Sequence, residues 1–290
     1  MKQVCLLLCV IAAAVAAVPA RPAAGVAQIA AEPMLPGEWF VAKSDAEVMS
    51  AAVEVLRQMG VKLERRDLAA GVLVTRRAEY GVSWPDAAVL GLPTTHQPAA
   101  ATLHVFVAPG FRPARLAVGA ILETRTTFAP LAGRRGRGET RLYGERHLGA
   151  AIAERIAASL RTPLVAMPHD PEARSREAAR LGDATAARCG APALVTRESK
   201  HEGPPPTLVS QVKPVYPGNE DRQRVTGTVV LAAEVTEHGT LTGLTRQGGA
   251  DRPNLVAAAS GAAGLWRFRP APGDCPARRG IGIEMAFLMP

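Results

Sequence analysis

Four cysteines are the residues of this chain best suited to covalent chemistry. Cys5 and Cys9 lie in an apolar N-terminal segment, whereas Cys189 and Cys275 lie 86 residues apart toward the other end. In an oxidising compartment an even number of remaining thiols favours a disulfide, and the alternative is two free, unrelated thiols. The choice between the two depends on where the mature protein resides.

The N-terminus has the pattern of a secretory signal peptide. Lys2 gives a positive start, the segment from Val4 to Val18 is apolar, and small residues precede Arg21. The apolar run is shorter than the roughly 20 residues of a membrane-spanning helix. We therefore expect residues 1–20 to be cleaved during export to the periplasm, with an uncleaved anchor or a lipidated Cys9 as alternatives. The mature chain then keeps two cysteines, and we predict a Cys189–Cys275 disulfide.

The remaining reactive side chains form no recognisable catalytic or metal site. The six histidines, at positions 96, 104, 147, 169, 201 and 238, lack the spacings that place two ligands on one helical face. No nucleophile, base and orienting group occur in a known arrangement. We therefore predict no catalytic residues, no metal and no cofactor, which leaves binding to other proteins as the expected work of the chain.

The net charge of +8 is compatible with several partners. Nucleic acid is not expected, because only 4% of the residues are aromatic and the basic residues are scattered. Solubility is the simplest explanation, with an acidic partner or an anionic membrane surface as alternatives. The segment GRRGRG at 133–138 predicts either a weak contact with anionic lipid or a solvated hairpin tip.

The elements that position these residues fall into two α+β domains. Residues 21–38 read as a disordered lead-in, and residues 39–163 as the first domain. Ser44 and Glu47 form a capping box before a helix that Gly60 ends. Alternating runs predict hairpins at 61–77 and 102–128, separated by a loop at 78–100. A helix with Leu148 and Ile152 on one face follows, so we expect an antiparallel sheet whose apolar face is covered by two helices.

The second half begins with a linker and ends with a compact pattern. Residues 164–206 are rich in Ala, Arg, Glu and Pro, which predicts a partly helical tether. Residues 207–290 predict a hairpin with its turn at Gly239, a helix starting at Pro253, and a final strand. Trp266 and Phe268 are expected in the core of this second domain.

The segment from about 204 to 290 resembles the C-terminal domain of the TonB energy-transducer family. The matching features are Pro214-x-Tyr216-Pro217, Gly227, Gly239, Trp266-x-Phe268-x-Pro270 and a last strand through Phe287. In the first domain, about 30 residues starting at Ser44 weakly resemble the helix-grip domains of exported envelope lipoproteins of the BamC type. The second resemblance carries no chemical motif and implies only a binding or scaffolding domain.

The TonB resemblance implies binding of an outer-membrane transporter peptide as an added strand along the last strand. The expected partner-binding residues are Lys213, Tyr216, Pro217, Ile281, Ile283, Glu284, Met285 and Phe287. Energy transducers of this family keep an uncleaved N-terminal helix, which a cleaved signal peptide would remove. We therefore expect an accessory to transport across the outer membrane, and the alternative is an envelope scaffold or assembly factor that uses the fold structurally.

Overall fold

The computed structural model describes residues 36–79, 96–127, 137–143, 146–195, 205–217, 224–270 and 275–288. The predicted signal peptide, most of the lead-in and residues 133–136 of the Arg-rich loop lie outside these ranges. Among the described residues, no helix has both the length and the apolar character needed to span a bilayer.

Helix α1 (Asp45–Gln58) begins at the predicted capping box. The Ser44 side chain accepts a hydrogen bond from the Glu47 backbone N–H at 3.3 Å, and the Glu47 carboxylate accepts one from the Ser44 backbone N–H at 2.9 Å. These two bonds satisfy backbone donors that a helix start otherwise leaves unpaired. The helix and its cap are therefore confirmed.

Between residues 37 and 166, the described part of the chain contains eight strands that form one antiparallel sheet. They are β1 (Gly37–Val41), β2 (Leu63–Asp67), β3 (Val72–Thr75), β4 (Ala78–Glu79), β5 (His96–Ala108), β6 (Ala114–Thr127), β7 (Arg137–Tyr143) and β8 (Leu164–Ala166). The order is β2-β3-β5-β6-β1-β8, with β4 also on β5 and β7 also on β6. Strands β6 and β7 are paired up to Thr127 and Arg137.

Both predicted hairpins are present, but the sheet is larger than expected. Strands β4 and β5 extend into the two ends of the segment 78–100, where the sequence predicts a loop, and residues 80–95 lie outside the described ranges. Pro98 lies in β5 beside a register shift between Pro98 and Ala100. A proline lacks the N–H that a regular ladder needs, and a bulge removes that requirement. The three prolines at 85, 93 and 98 had suggested a loop, and the bulge explains why β5 tolerates the last of them.

One face of this sheet is covered by α1 and by α2 (Arg146–Ser159), as predicted. Alternate residues of the central strands point into that core, because side chains of a strand alternate between faces. The buried strand residues are Val41, Leu103, Val105, Val107, Leu116, Val118 and Leu122, and α2 contributes Leu148, Ile152 and Ile156.

The opposite face of the sheet is also buried, which the sequence had not indicated. Phe40 and Phe106 are 0% and 1% exposed on it. They are covered by segments that follow the first domain, namely α3 (Pro171–Arg180), α4 (Ala184–Cys189) and β10 (Leu208–Ser210). Ala178 of α3 packs with Phe40, and Val209 of β10 packs with Phe106.

The described part of the segment 164–206 therefore does more than connect two domains. It contains the expected helical structure in α3 and α4, and β8 pairs with β1. A further strand, β9 (Leu194–Val195), belongs to the sheet of the last domain. This packing was missed because the segment has few large apolar residues, and its buried members include Arg174 and Ser175.

The last domain has the predicted order of hairpin, helix and strand. Strands β11 (Gly227–Val235) and β12 (Leu241–Gly249) are followed by α5 (Pro253–Gly264), β13 (Arg267–Phe268) and β14 (Arg278–Phe287). The sheet order is β12-β11-β14-β9, and β10 pairs separately with β13. The core beneath α5 contains Val229, Leu231, Leu241, Leu255, Ala259, Leu265, Trp266, Phe268, Ile283, Met285 and Phe287.

The capping box gives a test of how much α1 contributes. Replacing Ser44 by alanine removes the hydrogen bond to the Glu47 N–H, and we expect the free energy of unfolding to fall by about 1 kcal/mol. Urea denaturation followed by circular dichroism measures it. The control is Ser50→Ala on the exposed side of the same helix, which should not destabilise the protein. Equal losses in the two variants would contradict a capping role.

Candidate functional site: the free edge of the last strand

Strand β14 is fully paired on one side and almost unpaired on the other. Its register with β11 runs without a shift from Arg279 opposite Val235 to Phe287 opposite Gly227. On the other side only Arg278 and Arg279 pair, in parallel, with Leu194 and Val195 of β9. Within the described ranges, residues 280–287 therefore form a free strand edge.

One hydrogen bond shows which main-chain groups this edge presents. The Arg278 N–H donates to the Ala193 carbonyl at 2.9 Å, on the side away from β11. In an antiparallel ladder the N–H and C=O of one residue point the same way, and successive residues alternate. The even-numbered residues thus present their main-chain groups to the open side: Gly280, Gly282, Glu284 and Ala286. The odd-numbered residues are bonded to β11.

The side chains of β14 alternate in the same way between two faces. Ile283, Met285 and Phe287 are 3%, 4% and 2% exposed and belong to the core beneath α5. Glu284 is exposed on the opposite face. Among the predicted strand residues, only Glu284 has both an exposed side chain and main-chain groups that face the open side. The odd-numbered residues are bonded to β11, and Ile283, Met285 and Phe287 pack in the core. Whether a partner binds here stays a prediction.

Sequence reasoning missed the small residues that make up the rest of this edge. Gly280, Gly282 and Ala286 were not among the predicted site residues, because their side chains carry no chemistry. Their main-chain groups are nevertheless the ones that face outward. The period-two alternation of Ile283, Met285 and Phe287 groups these small residues with Glu284, but only the pairing with β11 and β9 shows that this set faces the open side.

The motif around Tyr216 lies against the end of β14. The Trp266 indole N–H donates to the Val212 carbonyl at 2.9 Å, which holds the start of this segment. The rings of Tyr216 and Phe287 meet edge to face, with centroids 5.6 Å apart. The buried Tyr216 hydroxyl has no hydrogen-bond partner in the part of the chain that the structure describes. Lys213 is exposed, and Pro217 is half-buried.

The predicted disulfide is present and closes one end of the edge. Cys189 and Cys275 are bonded, with their Cα atoms 5.6 Å apart, and they precede the paired strands β9 and β14. Arg278 adds to this attachment, because its Nε donates to the Pro192 carbonyl at 3.3 Å and its Nη1 to Glu234 at 2.7 Å. The bridge therefore holds β9 beside the first residues of β14. At Arg278 and Arg279, this side of β14 already pairs with another strand.

The turn between β11 and β12 attaches the last domain to the first sheet. Gly239 has a φ of +90°, and a Cβ there would lie 2.1 Å from the Phe268 carbonyl oxygen, so glycine is required. His238, only 1% exposed, lies with its Nε2 3.3 Å from Glu38 and its Nδ1 3.5 Å from Glu237. Glu237 also pairs with Arg174 at 3.0 Å. A buried ionic cluster thus joins β1, α3 and this turn.

The charges in this cluster stabilise one another. Burial alone would lower the pKa of His238, but the adjacent carboxylates of Glu237 and Glu38 raise it above its usual 6.5. Burial likewise opposes ionisation of Glu38, yet the bond to His238 brings its pKa below 4.5. The arrangement favours a charged imidazolium between two carboxylates.

Two further contacts hold α5 and β13 on the same face of the first sheet. A Cβ at Gly119 would lie 2.4 Å from the Leu265 side chain, so the glycine leaves room for the leucine. The Arg267 guanidinium, whose pKa burial lowers to about 10, lies 5.8 Å from the centroid of the Phe106 ring. It donates to the carbonyls of Gly264 and Trp266, which satisfies one of its nitrogens.

A cavity of about 190 Å³ lies where α3, α4 and the disulfide meet. Its charged side chains are already paired, since Arg115 bonds Asp183 and Arg174 bonds Glu237. The described residues contain no group of three or more His, Cys, Asp or Glu placed to hold a metal ion. The strand edge is therefore the better candidate for a binding site.

The comparison with known proteins concerns the last domain. Residues 212–287 match the family described as the Gram-negative bacterial TonB protein C-terminal. This confirms the resemblance inferred from the Tyr216, Trp266 and Phe268 motifs. No curated protein matches the chain. The BamC-type resemblance of the first domain stays a prediction.

The disulfide should contribute measurably to stability. It closes a loop of 86 residues, and in the chain-entropy account we expect reduction to lower the free energy of unfolding by roughly 4 to 5 kcal/mol. Denaturation with and without a dithiol reductant measures this change. The double variant Cys189→Ser, Cys275→Ser should show no response to reductant. A response in that variant would mean that the effect does not come from the bridge.

The ionic cluster predicts a pH dependence of stability. The pKa of His238 is raised on folding by Glu237 and Glu38, so its contribution is complete below pH 6.5 and is lost as pH rises through the folded value. We expect the melting temperature to fall with rising pH more in the parent protein than in His238→Gln. The pKa of His104 is instead lowered to about 4 by burial and by Arg267. His104 therefore changes the stability with pH only below pH 6.5, outside the range that His238 affects. Parallel curves for the two proteins above pH 6.5 would rule out this role.

Proposed function

We propose, from the TonB C-terminal domain at residues 212–287, that this protein works in the cell envelope and binds an outer-membrane transporter by strand addition to β14. The supporting observation is the free edge at residues 280–287, where alternate N–H and C=O groups have no partner in the described chain. Added strands gain affinity from such main-chain groups. In this proposal the protein is an accessory to transport across the outer membrane.

The pairing of β9 supports this mode of binding. A segment from outside the TonB C-terminal domain already lies along β14 and pairs with Arg278 and Arg279. An incoming strand would continue the same edge from Gly280 onward. The disulfide at Cys189 and Cys275 keeps β9 in place, so the start of the available edge is defined. A fragment beginning at residue 204 would lose β9 and the bridge, and binding is best tested on the full chain.

The compartment in this proposal rests on the predicted signal peptide. Export to the periplasm would bring the edge to the side of the outer membrane from which transporter segments can reach it. A disulfide between Cys189 and Cys275 fits an oxidising compartment of this kind. Cleavage after about residue 20 stays a prediction.

An envelope scaffold is a second candidate function, and one observation favours it. The last domain is fixed to the first sheet through Glu38, His238 and Arg174, whereas a domain that reaches for a moving partner is better served by a flexible tether. In this alternative the TonB C-terminal fold serves assembly, and β14 does not receive transporter peptides.

Proline at the edge distinguishes the two proposals. Ala286→Pro removes an outward N–H without changing a core side chain, so we expect the variant to fold. Its affinity for N-terminal peptides of candidate outer-membrane transporters should fall about tenfold, because one main-chain bond is lost and one acceptor is left unpaired. Backbone amide signals of residues 280–288 in the full-length chain report the binding.

The matched control is Ala286→Val, which keeps the N–H and places a good strand former at the same exposed position. It should bind within about twofold of the parent protein. If peptides at millimolar concentration move no signals in 280–288 of the parent, strand addition is wrong and the scaffold is favoured.

A further inference from the structure

The exposed face of the β14 edge combines one carboxylate with residues that have little or no side chain. Glu284 lies on this face, with Gly282 and Ala286 on either side of it along the strand. Behind them on β11, Val230 lies opposite Glu284 and Ala232 lies opposite Gly282. Both β11 residues are half-buried. An added strand would place alternate side chains beside this row.

The Glu284 carboxylate has no cationic partner among the described residues. Arg278 at the start of β14 binds Glu234 at 2.7 Å, and Arg246 of β12 binds Asp251 at 3.0 Å. Side chains directly opposite each other on neighbouring strands interact, and opposite charges are favourable whereas like charges are unfavourable. A basic side chain on the added strand would therefore meet an unpaired charge, and an acidic one would be repelled.

The space beside Glu284 is open. A Cβ built at Gly280 or Gly282 would meet nothing within 4 Å. A large side chain on the added strand can therefore lie across Gly282 and cover the half-buried Ala232 and Val230. Aromatic side chains cover strand glycines in this way, because the glycine leaves backbone and neighbouring apolar surface exposed.

We infer that the strand accepted by β14 carries a basic residue opposite Glu284 and a large apolar residue two positions away, opposite Gly282. This inference rests on the proposed strand addition and specifies the chemistry of its partner. The two positions fall on the same face of the added strand, because side chains repeat with a period of two. The partner is thus an extended segment with a large apolar residue and a lysine or arginine at alternate positions.

The test uses the full-length chain and synthetic nine-residue peptides of alternating threonine and valine. One peptide has lysine at its centre and phenylalanine two positions away, a second has glutamate in place of the lysine, and a third has alanine in place of the phenylalanine. Dissociation constants come from the amide signals of residues 280–288 at low ionic strength, where screening is weakest. The proteins are the parent, Glu284→Lys and the control Glu64→Lys.

We expect the parent to bind the lysine peptide about threefold more tightly than the glutamate peptide. Glu284→Lys should invert this preference. Glu64→Lys, with the same charge change on exposed β2 of the other sheet, should leave it unchanged. Replacing the phenylalanine by alanine should weaken binding to the parent about threefold.

Equal dissociation constants for the lysine and glutamate peptides in both the parent and Glu284→Lys would overturn the inference while leaving strand addition intact. An inversion in Glu64→Lys as well would attribute the preference to net charge and would also overturn it. If the alanine peptide binds as tightly as the phenylalanine peptide, Gly282 does not provide space for a large apolar side chain, and that part of the inference is wrong. If no peptide moves the signals of 280–288, the proposed function fails together with the inference.

Discussion

Two charged side chains on the first sheet, the buried Arg115 and the half-buried Glu38, need partners from the segments that pack on it. Glu38 and Arg115 lie on the face opposite α1 and α2, among Phe40 and Phe106. A buried charge without a partner costs several kcal/mol, which applies in full to Arg115 and in part to Glu38, whose side chain is 20% exposed. Asp183, the N-cap of α4, binds Arg115, and His238 in the β11–β12 turn binds Glu38. Both later segments must therefore pack on this face.

This requirement separates the surface that holds the last domain from the surface that remains open. The domain contacts the first sheet through the 236–240 turn, through Leu265 after α5 and through Arg267 of β13. None of these residues belongs to β14 between Gly280 and Phe287. Attachment and strand addition therefore use different parts of the fold, and the first domain can hold the last one rigidly without covering its free edge.

Local patterns identified most of the elements, and long-range pairing accounts for what they missed. The capping box at Ser44 and the alternation in β11 are short-range signals, and both were confirmed. The second buried face was missed because Glu38 reads as a surface residue, and its partner His238 is 200 residues away. For the candidate site, the sequence predicted the binding strand but not which of its residues face the open side. Which residues of β14 face outward depends on the register with β11 and on the bond to Ala193, and neither is encoded in the strand itself.

A free strand edge is a hazard as well as a binding site, because it can pair with another copy of itself. Here its first two residues are covered by β9, which the Cys189–Cys275 bridge holds in place. The remaining edge carries Glu284 near its middle. Antiparallel pairing of two copies centred on Glu284 would place two carboxylates directly opposite each other, which is unfavourable. The same carboxylate that would select a basic partner strand thus disfavours self-association, so one residue can serve partner choice and protect the unbound edge.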